Sequence, residues 1–401
     1  PYTGHETRMK KRVKEAEKVA KDRGVEINKE YFYKMRTGFC EVSKMFQLIE
    51  QPSPNKMFHD NYAFFSSTSK NMREHFKNWS NQIIKSINKK NNPFVIELGC
   101  NDGIFLENIL DNNIRHLGIE PSENVAKVAK DKNIDVVTKF FNSNLAEKIK
   151  NENGKADYFI SANVMCHIPD ILDVAKGIEI LLNENGLLVF EDPYLGSVIN
   201  QTTYDQIYDE HVFLFSGHSV NYLFNKVNME LIKLEPQSTH GGSMRYTLGK
   251  IGRHEKDSSV EHYLNLEKIN GVENYDKMLE FNKNVLDKKN KLNKILNEIK
   301  KENINICGYA ATSKSTTILN YCGINSKIID CIYDTTEIKI GKFSPGMHIP
   351  IMDMKNFKAS DYKYSILFAW NHQKEIKQKE LDYIKKGGKW IIFAPKIEII
   401  G

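Results

Sequence analysis

Residues 204–216, Tyr-Asp-Gln-Ile-Tyr-Asp-Glu-His-Val-Phe-Leu-Phe-Ser, gather two phenols, three carboxylates and one imidazole and then turn apolar. These side chains take up and release protons, and histidine is the one whose ordinary pKa lies near neutrality. Taken alone, His211 in front of an apolar run reads as a satisfied, half-buried side chain. Its chemistry depends on what else the chain carries. Two other stretches hold groups suited to a ligand. Val-Ile-Glu-Leu-Gly-Cys-Asn-Asp-Gly (95–103) places Glu97, Gly99, Asn101, Asp102 and Gly103 where an apolar run breaks into a turn. Gly-Tyr-Ala-Ala-Thr-Ser-Lys-Ser-Thr-Thr (308–317) surrounds Lys314 with hydroxyl groups.

The elements that must position these groups follow from the hydrophobic pattern. A helix beginning near Asn71, with Phe76, Trp79, Ile83 and Ile84 on one face, leads into the run at 95–103. Strand, turn and helix signals then recur through 115–132, 156–182 and 186–195, the alternation that a parallel α/β sheet requires. This predicts a doubly wound unit over about 75–250. Residues 258–302 are lysine-rich and helix-favouring, with Leu279, Phe281, Val285 and Leu292 at near-helical spacing, and read as a connector. A second, smaller strand-turn-helix pattern fills the remainder. The first residues read as a charged helix over 6–23 followed by a less regular stretch.

Composition narrows the class. A chain of 401 residues has room for roughly two to three domains. With 40% hydrophobic and 27% charged residues it has the balance of a packed protein, not of a disordered one. The 57 basic and 51 acidic side chains leave an excess of six spread along the chain, so no basic patch marks a nucleic-acid partner. Six cysteines stand far apart without paired spacing, which fits a reducing compartment, and cytoplasm is the expected location. No apolar run approaches the ~18 residues of a membrane span, and the opening residues are charged where a signal peptide would be apolar; neither membrane nor secretion is expected. The sequence carries no signature of oligomeric state.

The turn at 95–103 resembles the S-adenosylmethionine loop of class I methyltransferases, written E-x-G-x-x-x-G, through Glu97, Gly99 and Gly103. An acidic residue ending the next strand, about 20 residues on, can accept both ribose hydroxyls. Glu120, followed by Pro121, stands there. Asn163 and His167 follow a third strand, where this fold lines the cofactor and approaches the transferred methyl. Phe140 and Phe141 are candidates to flank adenine, although aromatic pairs more often fill cores. In the last third, the helix start around Thr312, Ser313 and Lys314 offers amide dipoles and one ammonium for a diphosphate, and the polar loop after Tyr333 and Asp334 lies on the same side. The G-K-[ST] ending of a Walker loop is missing.

In order along the chain, "MFHDNYAFFSSTSKNMREHF", "ELGCNDGIFL", "GIEPSENVA", "ANVMCHIPD", "FEDPYLG", "YDQIYDEHVFLFS", "HGGSMRYTL", "GYAATSKSTTILNYCGI", "YDTTEIKIGKFSPGMHIPI" and "FAWNH" resemble the sugar nucleotide 3-C-methyltransferases. The resemblance runs from about residue 40 to the end. It implies an α/β fold: a class I methyltransferase Rossmann-like domain, a second smaller Rossmann-like α/β C-terminal domain and a small N-terminal domain. The boundaries fall at 1–72, 73–257, a helical connector 258–302, and 303–401 for the domain binding the nucleotide sugar. It also implies methyl transfer from S-adenosylmethionine to C3 of a nucleotide-diphosphate-linked 4-keto-deoxyhexose through an enolate, with inversion at C3. By motif position, His211 is then the base, Glu210 orients it, Tyr208 donates a hydrogen bond to substrate, and Tyr62 faces them. His240 and Arg245 match the edge of the sugar site, while Tyr309, Asn371 and His372 fall in the matching C-terminal motifs. Tyr204 has no assigned role, and Asp205 and Asp209 are expected on the surface. Transfer to oxygen or nitrogen of a nucleotide sugar is the alternative, since it needs a base but no adjacent ketone.

The chain departs from this family at its start. Members carry a small zinc unit built from cysteine pairs. In Gly-Phe-Cys-Glu-Val-Ser (38–43) Cys40 stands alone, with Ser43 in its partner's place and no pair upstream. One thiol does not hold a structural zinc, so no metal is expected there, and the first domain is expected to fold by helix packing alone.

Overall fold

The computed structural model describes residues 35–60, 62, 64–87, 90–358 and 361–401; the opening helix expected over 6–23 lies outside them. The chain divides into two compact units. One comprises 37–196 and 210–277, the other 197–209 and 278–401 together with the described end of 1–36.

The first unit contains β1 (Thr37–Cys40), β2 (Met45–Leu48), β3 (Phe94–Leu98), β4 (Arg115–Ile119), β5 (Val136–Val137), β6 (Ala156–Ala162), β7 (Leu182–Pro193), β8 (Phe213–Leu214), β9 (Met229–Gln237) and β10 (Ser243–Lys250). Seven of them form one sheet in the order β5-β4-β3-β6-β7-β10-β9, parallel except for β10, which runs antiparallel to β7 and β9. All five residues of β3 are buried, because a central parallel strand is covered on both faces. Ile96 and Leu98 point into one core with Phe159, Ile178 and Leu188. Val95 points into the other with Trp79, Phe105 and Ile160. Helix Lys70–Ile87 covers that second face with Phe76, Trp79, Ile83 and Ile84, the face read from its periodicity.

The start of the described chain corrects an expectation. Residues 37–48 form a β1–β2 hairpin, not a helical domain, and β2 pairs with β8. Met45, Phe46 and Leu48 are buried by this pairing, so the segment is part of the first unit. Cys40 lies exposed, its sulfur accepting from the Ser43 amide at 3.5 Å.

The second unit holds β11 (Ile306–Tyr309), β12 (Ile332–Asp334), β13 (Ile351–Asp353), β14 (Tyr364–Leu367), β15 (Lys389–Ile392) and β16 (Glu398–Ile400). Their order is β13-β12-β11-β14-β15-β16, parallel but for β16. The expected connector is divided between the units. Helix Ser258–Ile269 belongs to the first, where its buried Glu267 accepts the Gly217 amide at 2.7 Å. Helix Tyr275–Lys301 runs into the second, burying Met278, Phe281, Val285, Leu292, Leu296 and Ile299. Leu279, counted toward that face from sequence, is 51% exposed, one position off the stripe. Among the described residues no helix is long and apolar enough to cross a membrane.

Candidate functional site

At the carboxyl end of β3 the chain turns through Gly99, Asn101 and Gly103, all with positive φ (71°, 49° and 82°). Side chains at either glycine would also collide with protein: Val164 at Gly99 and Ile134 at Gly103. The glycines therefore serve the turn and its packing as much as any close approach by a ligand. Glu120, the residue after β4, accepts the Asn101 amide at 3.2 Å and the Ser122 amide at 2.9 Å, and Pro121 follows it. Burial raises the Glu120 carboxyl, and those two amides oppose the rise. Asp102 accepts from the Ser67 amide at 3.0 Å and its hydroxyl at 2.5 Å, while Asn101 accepts from the Ser66 amide and donates to the Phe64 carbonyl. These bonds tie residues 64–67 across the cofactor turn.

Glu97 is fully buried, and burial followed by the neighbouring Asp102 and Glu120 charges raises its pKa well above the ordinary value. Its Oε2, Asp102 Oδ1 and Asn163 Oδ1 have no hydrogen-bond partner among the described residues. Asn163 follows β6 in the left-handed region, φ 55°, with its backbone amide donating to the Glu191 carbonyl. Three carboxylates and an amide oxygen, with acceptors unused, suit a ligand bearing cationic and hydroxyl groups. S-adenosylmethionine has both, an ammonium and a sulfonium with a ribose diol. Phe141 is buried in the core, while Phe140 is 41% exposed.

Beyond this turn, within the same unit, His167 and His211 stack with ring centroids 5.3 Å apart and 28° between planes. Phe58 also stacks with His167 at 5.7 Å and contacts Tyr62 at 5.5 Å. The Tyr62 hydroxyl bonds the Glu210 carboxylate, and burial, Glu210 and Glu120 together push the phenol well above its ordinary pKa. Tyr62 is held in place by its carbonyl, which accepts from Asn124 Nδ2 at 2.8 Å. His211 is fixed by the next four residues: Val212, Phe213, Leu214 and Phe215 are all buried, and the Leu48 amide donates to the Val212 carbonyl. Burial lowers the His167 pKa to about 4, so this ring is neutral at pH 7. Cys166 and Asp192, neither singled out from sequence, complete the floor. Asp192 Oδ2 accepts the Cys166 amide at 3.2 Å and bonds its thiol, and burial raises the carboxyl to about 8. The one signal for Asp192 was a carboxylate at the carboxyl end of a strand.

His240 sits in the β9–β10 turn with φ 54°, next to the carboxyl end of β7, where Ser243 pairs with Pro193 and Met244 with Asp192. Arg245 faces inward from β10: it bonds Glu191 and Gln82 and stacks over Trp79 at 4.4 Å. Glu191 also binds His75 Nε2 at 2.7 Å. With its guanidinium consumed by a buried network, Arg245 is a structural residue, contrary to the expected phosphate or carboxylate contact.

In the second unit, helix Ser313–Cys322 starts beyond β11, capped by Thr312, whose hydroxyl accepts the Ser315 amide; Ser313 is exposed in the first turn. Lys314 is buried, with Nζ 5.8 Å over the Trp370 ring. Burial lowers its pKa while the Asp205 carboxylate raises it. Asp205, expected on the surface, is fully buried and accepts the Trp370 indole N–H at 2.7 Å. His372, beside Asn371, has its pKa lowered by burial and then by Lys314. Asp334 accepts the amides of Ala311 at 2.6 Å and Thr336 at 2.7 Å, clamping two loops. Two expected contacts are core residues instead. Tyr309 gives its hydroxyl to Glu380 and packs against Phe357 and Trp390, and Tyr333 packs against Phe357 and Tyr362. Tyr208 lies in the 197–209 segment of this unit, three residues ahead of His211 in sequence.

The strand order and the acidic turn define a class I methyltransferase that uses S-adenosylmethionine. Residues 69–234 match the methyltransferase domain family, and 238–395 match the C-methyltransferase C-terminal domain family. The C-methyltransferase NovU of Streptomyces niveus is 27% identical over 362 residues, covering 90% of this chain and 85% of its own. Among solved structures, an S-adenosylmethionine-dependent methyltransferase from Clostridium acetobutylicum is 15% identical and covers 44% of this chain and 92% of its own, with a TM-score of 0.36. Magnesium protoporphyrin IX methyltransferase from Synechocystis is 13% identical, covering 49% and 88%, with a TM-score of 0.34. The two matches stand in this order along the chain, a methyltransferase domain and then a C-methyltransferase C-terminal domain.

Proposed function

We propose that the protein methylates C3 of a nucleotide-diphosphate-linked 4-keto-deoxyhexose through an enolate, with inversion at C3. The observation that carries this reading is the grouping of His211, His167, Tyr62 and Glu210 at the strand ends beside the acidic cofactor turn. When bound, S-adenosylmethionine supplies an electrophilic methyl. A carbon acceptor has no lone pair, so a base must first remove the proton next to the ketone, and His211 takes it. The neutral His167 lets its neighbour become imidazolium without a second positive charge against it. Tyr62, kept protonated by burial, donates its hydroxyl to the Glu210 carboxylate, and Glu210 orients His211. Proton removal from one face and methylation on the other produce the inversion. Glu120 accepts the ribose hydroxyls and Glu97, Asp102 and Asn163 face the cationic end. The diphosphate is taken by the helix start at Thr312–Lys314, with Asn371 and His372 beside it.

The test is mass spectrometry of products from a panel of nucleotide 4-keto-6-deoxyhexoses in deuterated water. A product carrying the new methyl on C3, formed at a rate that falls about 100- to 10,000-fold in His211→Ala, supports the reading. A product methylated on oxygen or nitrogen would overturn it.

A further inference from the structure

Cys166, His167 and His211 bring one sulfur and two imidazole nitrogens within 4.8 Å of one another, all buried. One thiolate and two imidazoles form a ligand set for Zn²⁺ or another borderline divalent ion. Two further observations point to a ligand. His167 Nε2 is buried with no hydrogen-bond partner among the described residues. Asp192 stands behind the thiol, one oxygen on Cys166 and the other, Oδ1, buried without a partner, the outer carboxylate that metal ligands commonly carry. Bonds of about 2.3 Å to sulfur and 2.0–2.1 Å to nitrogen in a tetrahedron put the ligand atoms roughly 3.3–3.6 Å apart, so the widest spacing the structure permits must close by roughly 1.2–1.5 Å.

We propose that Cys166, His167 and His211 form a binding site for a divalent zinc-type ion that inactivates the enzyme by coordinating His211. The inhibitory part rests on the assignment of His211 as base; the site itself does not. On binding, the Cys166 thiol loses its proton to solvent, the sulfur and the two imidazole lone pairs bond the ion, and the fourth position stays open. The site is distinct from Cys40, which stands alone and exposed.

The experiment titrates the metal-free full chain with Co²⁺ and follows the thiolate-to-cobalt charge-transfer band. One equivalent bound with that band in the wild type and in Cys40→Ala, and its loss in Cys166→Ala and Cys166→Ser variants that keep wild-type circular dichroism, supports the site. A wild type without the band, or a band that survives in the Cys166 variants, overturns it. In parallel, Zn²⁺ is added to the substrate deuterium-exchange reaction. Inhibition at least tenfold weaker in Cys166→Ala, and reversed by a chelator in the wild type, supports the inhibitory role. A cobalt band with exchange indifferent to Zn²⁺ overturns that role, and if metal-free exchange is also indifferent to His211→Ala, it is the base assignment that has failed.

Discussion

Lowering the pH from 7 to 5 should weaken the first unit through His167 by an amount the structure sets. The ring has its pKa lowered from 6.5 to about 4 by burial. The unfolded chain therefore binds a proton as pH falls through 6.5, whereas the folded chain resists until about 4. Stability is full above 6.5 and is lost as pH falls through this window. At pH 5 the loss is about 2 kcal/mol, approaching ~3 kcal/mol at still lower pH. The assay is urea unfolding of the wild type and His167→Gln at both pH values. Trp79 fluorescence is read in a Trp370→Phe, Trp390→Phe background, so that only the first unit reports. The constant packing loss in the variant cancels in the difference of differences, leaving the ~2 kcal/mol linkage. Parallel loss of stability in both proteins between pH 7 and 5 would show that His167 titrates as an exposed histidine, refuting the buried neutral ring on which the proposed role of His211 relies.

Glu120→Gln removes the carboxylate proposed to accept the ribose hydroxyls, worth about 1.5–3 kcal/mol for hydrogen bonds to a charged group, and calorimetry should find S-adenosylmethionine bound roughly ten- to a hundredfold more weakly; unchanged binding would count against the proposed pocket. Arg245→Met leaves the buried Glu191 with His75 alone and should cost about 3–5 kcal/mol in denaturant unfolding. The KM for the sugar nucleotide should stay put, and a raised KM in a fully stable variant would return Arg245 to the substrate. Asp205→Asn takes the countercharge from the buried Lys314 and should destabilise the second unit by about 1–3 kcal/mol, read from Trp370 fluorescence; a change under ~0.5 kcal/mol, as at a surface position, would contradict its burial.

The features legible in the sequence are those that neighbours along the chain determine. The apolar run at 94–98, the turn at Gly99–Gly103 and Glu120 after the next strand lie within one strand-turn-helix-strand passage, and the structure sets them where that passage implies. The face of helix Lys70–Ile87 was equally legible, because a 3.6-residue period needs no partner to be seen. The features that escaped depend on distant partners. Asp205 reads as a surface acid until Trp370, 165 positions away, closes over it. Arg245 reads as free for a ligand because Glu191 and Gln82 lie 54 and 163 positions away. Tyr309 and Tyr333 stand in the right motifs with their rings turned to the core, which a motif does not reveal. The β1–β2 hairpin was hidden because its partner β8 lies far along the chain, after His211.

The proposed removal of the C3 proton by His211 is the step on which the rest of the reading depends. Its most direct measurement is deuterium entry from solvent into a nucleotide 4-keto-deoxyhexose, followed by NMR with S-adenosylhomocysteine in place of the methyl donor. Exchange at C3 is expected in the wild type, with at least a hundredfold slower exchange in His211→Ala and undiminished binding of S-adenosylhomocysteine by that variant. Exchange that continues in His211→Ala at the wild-type rate would contradict the assignment.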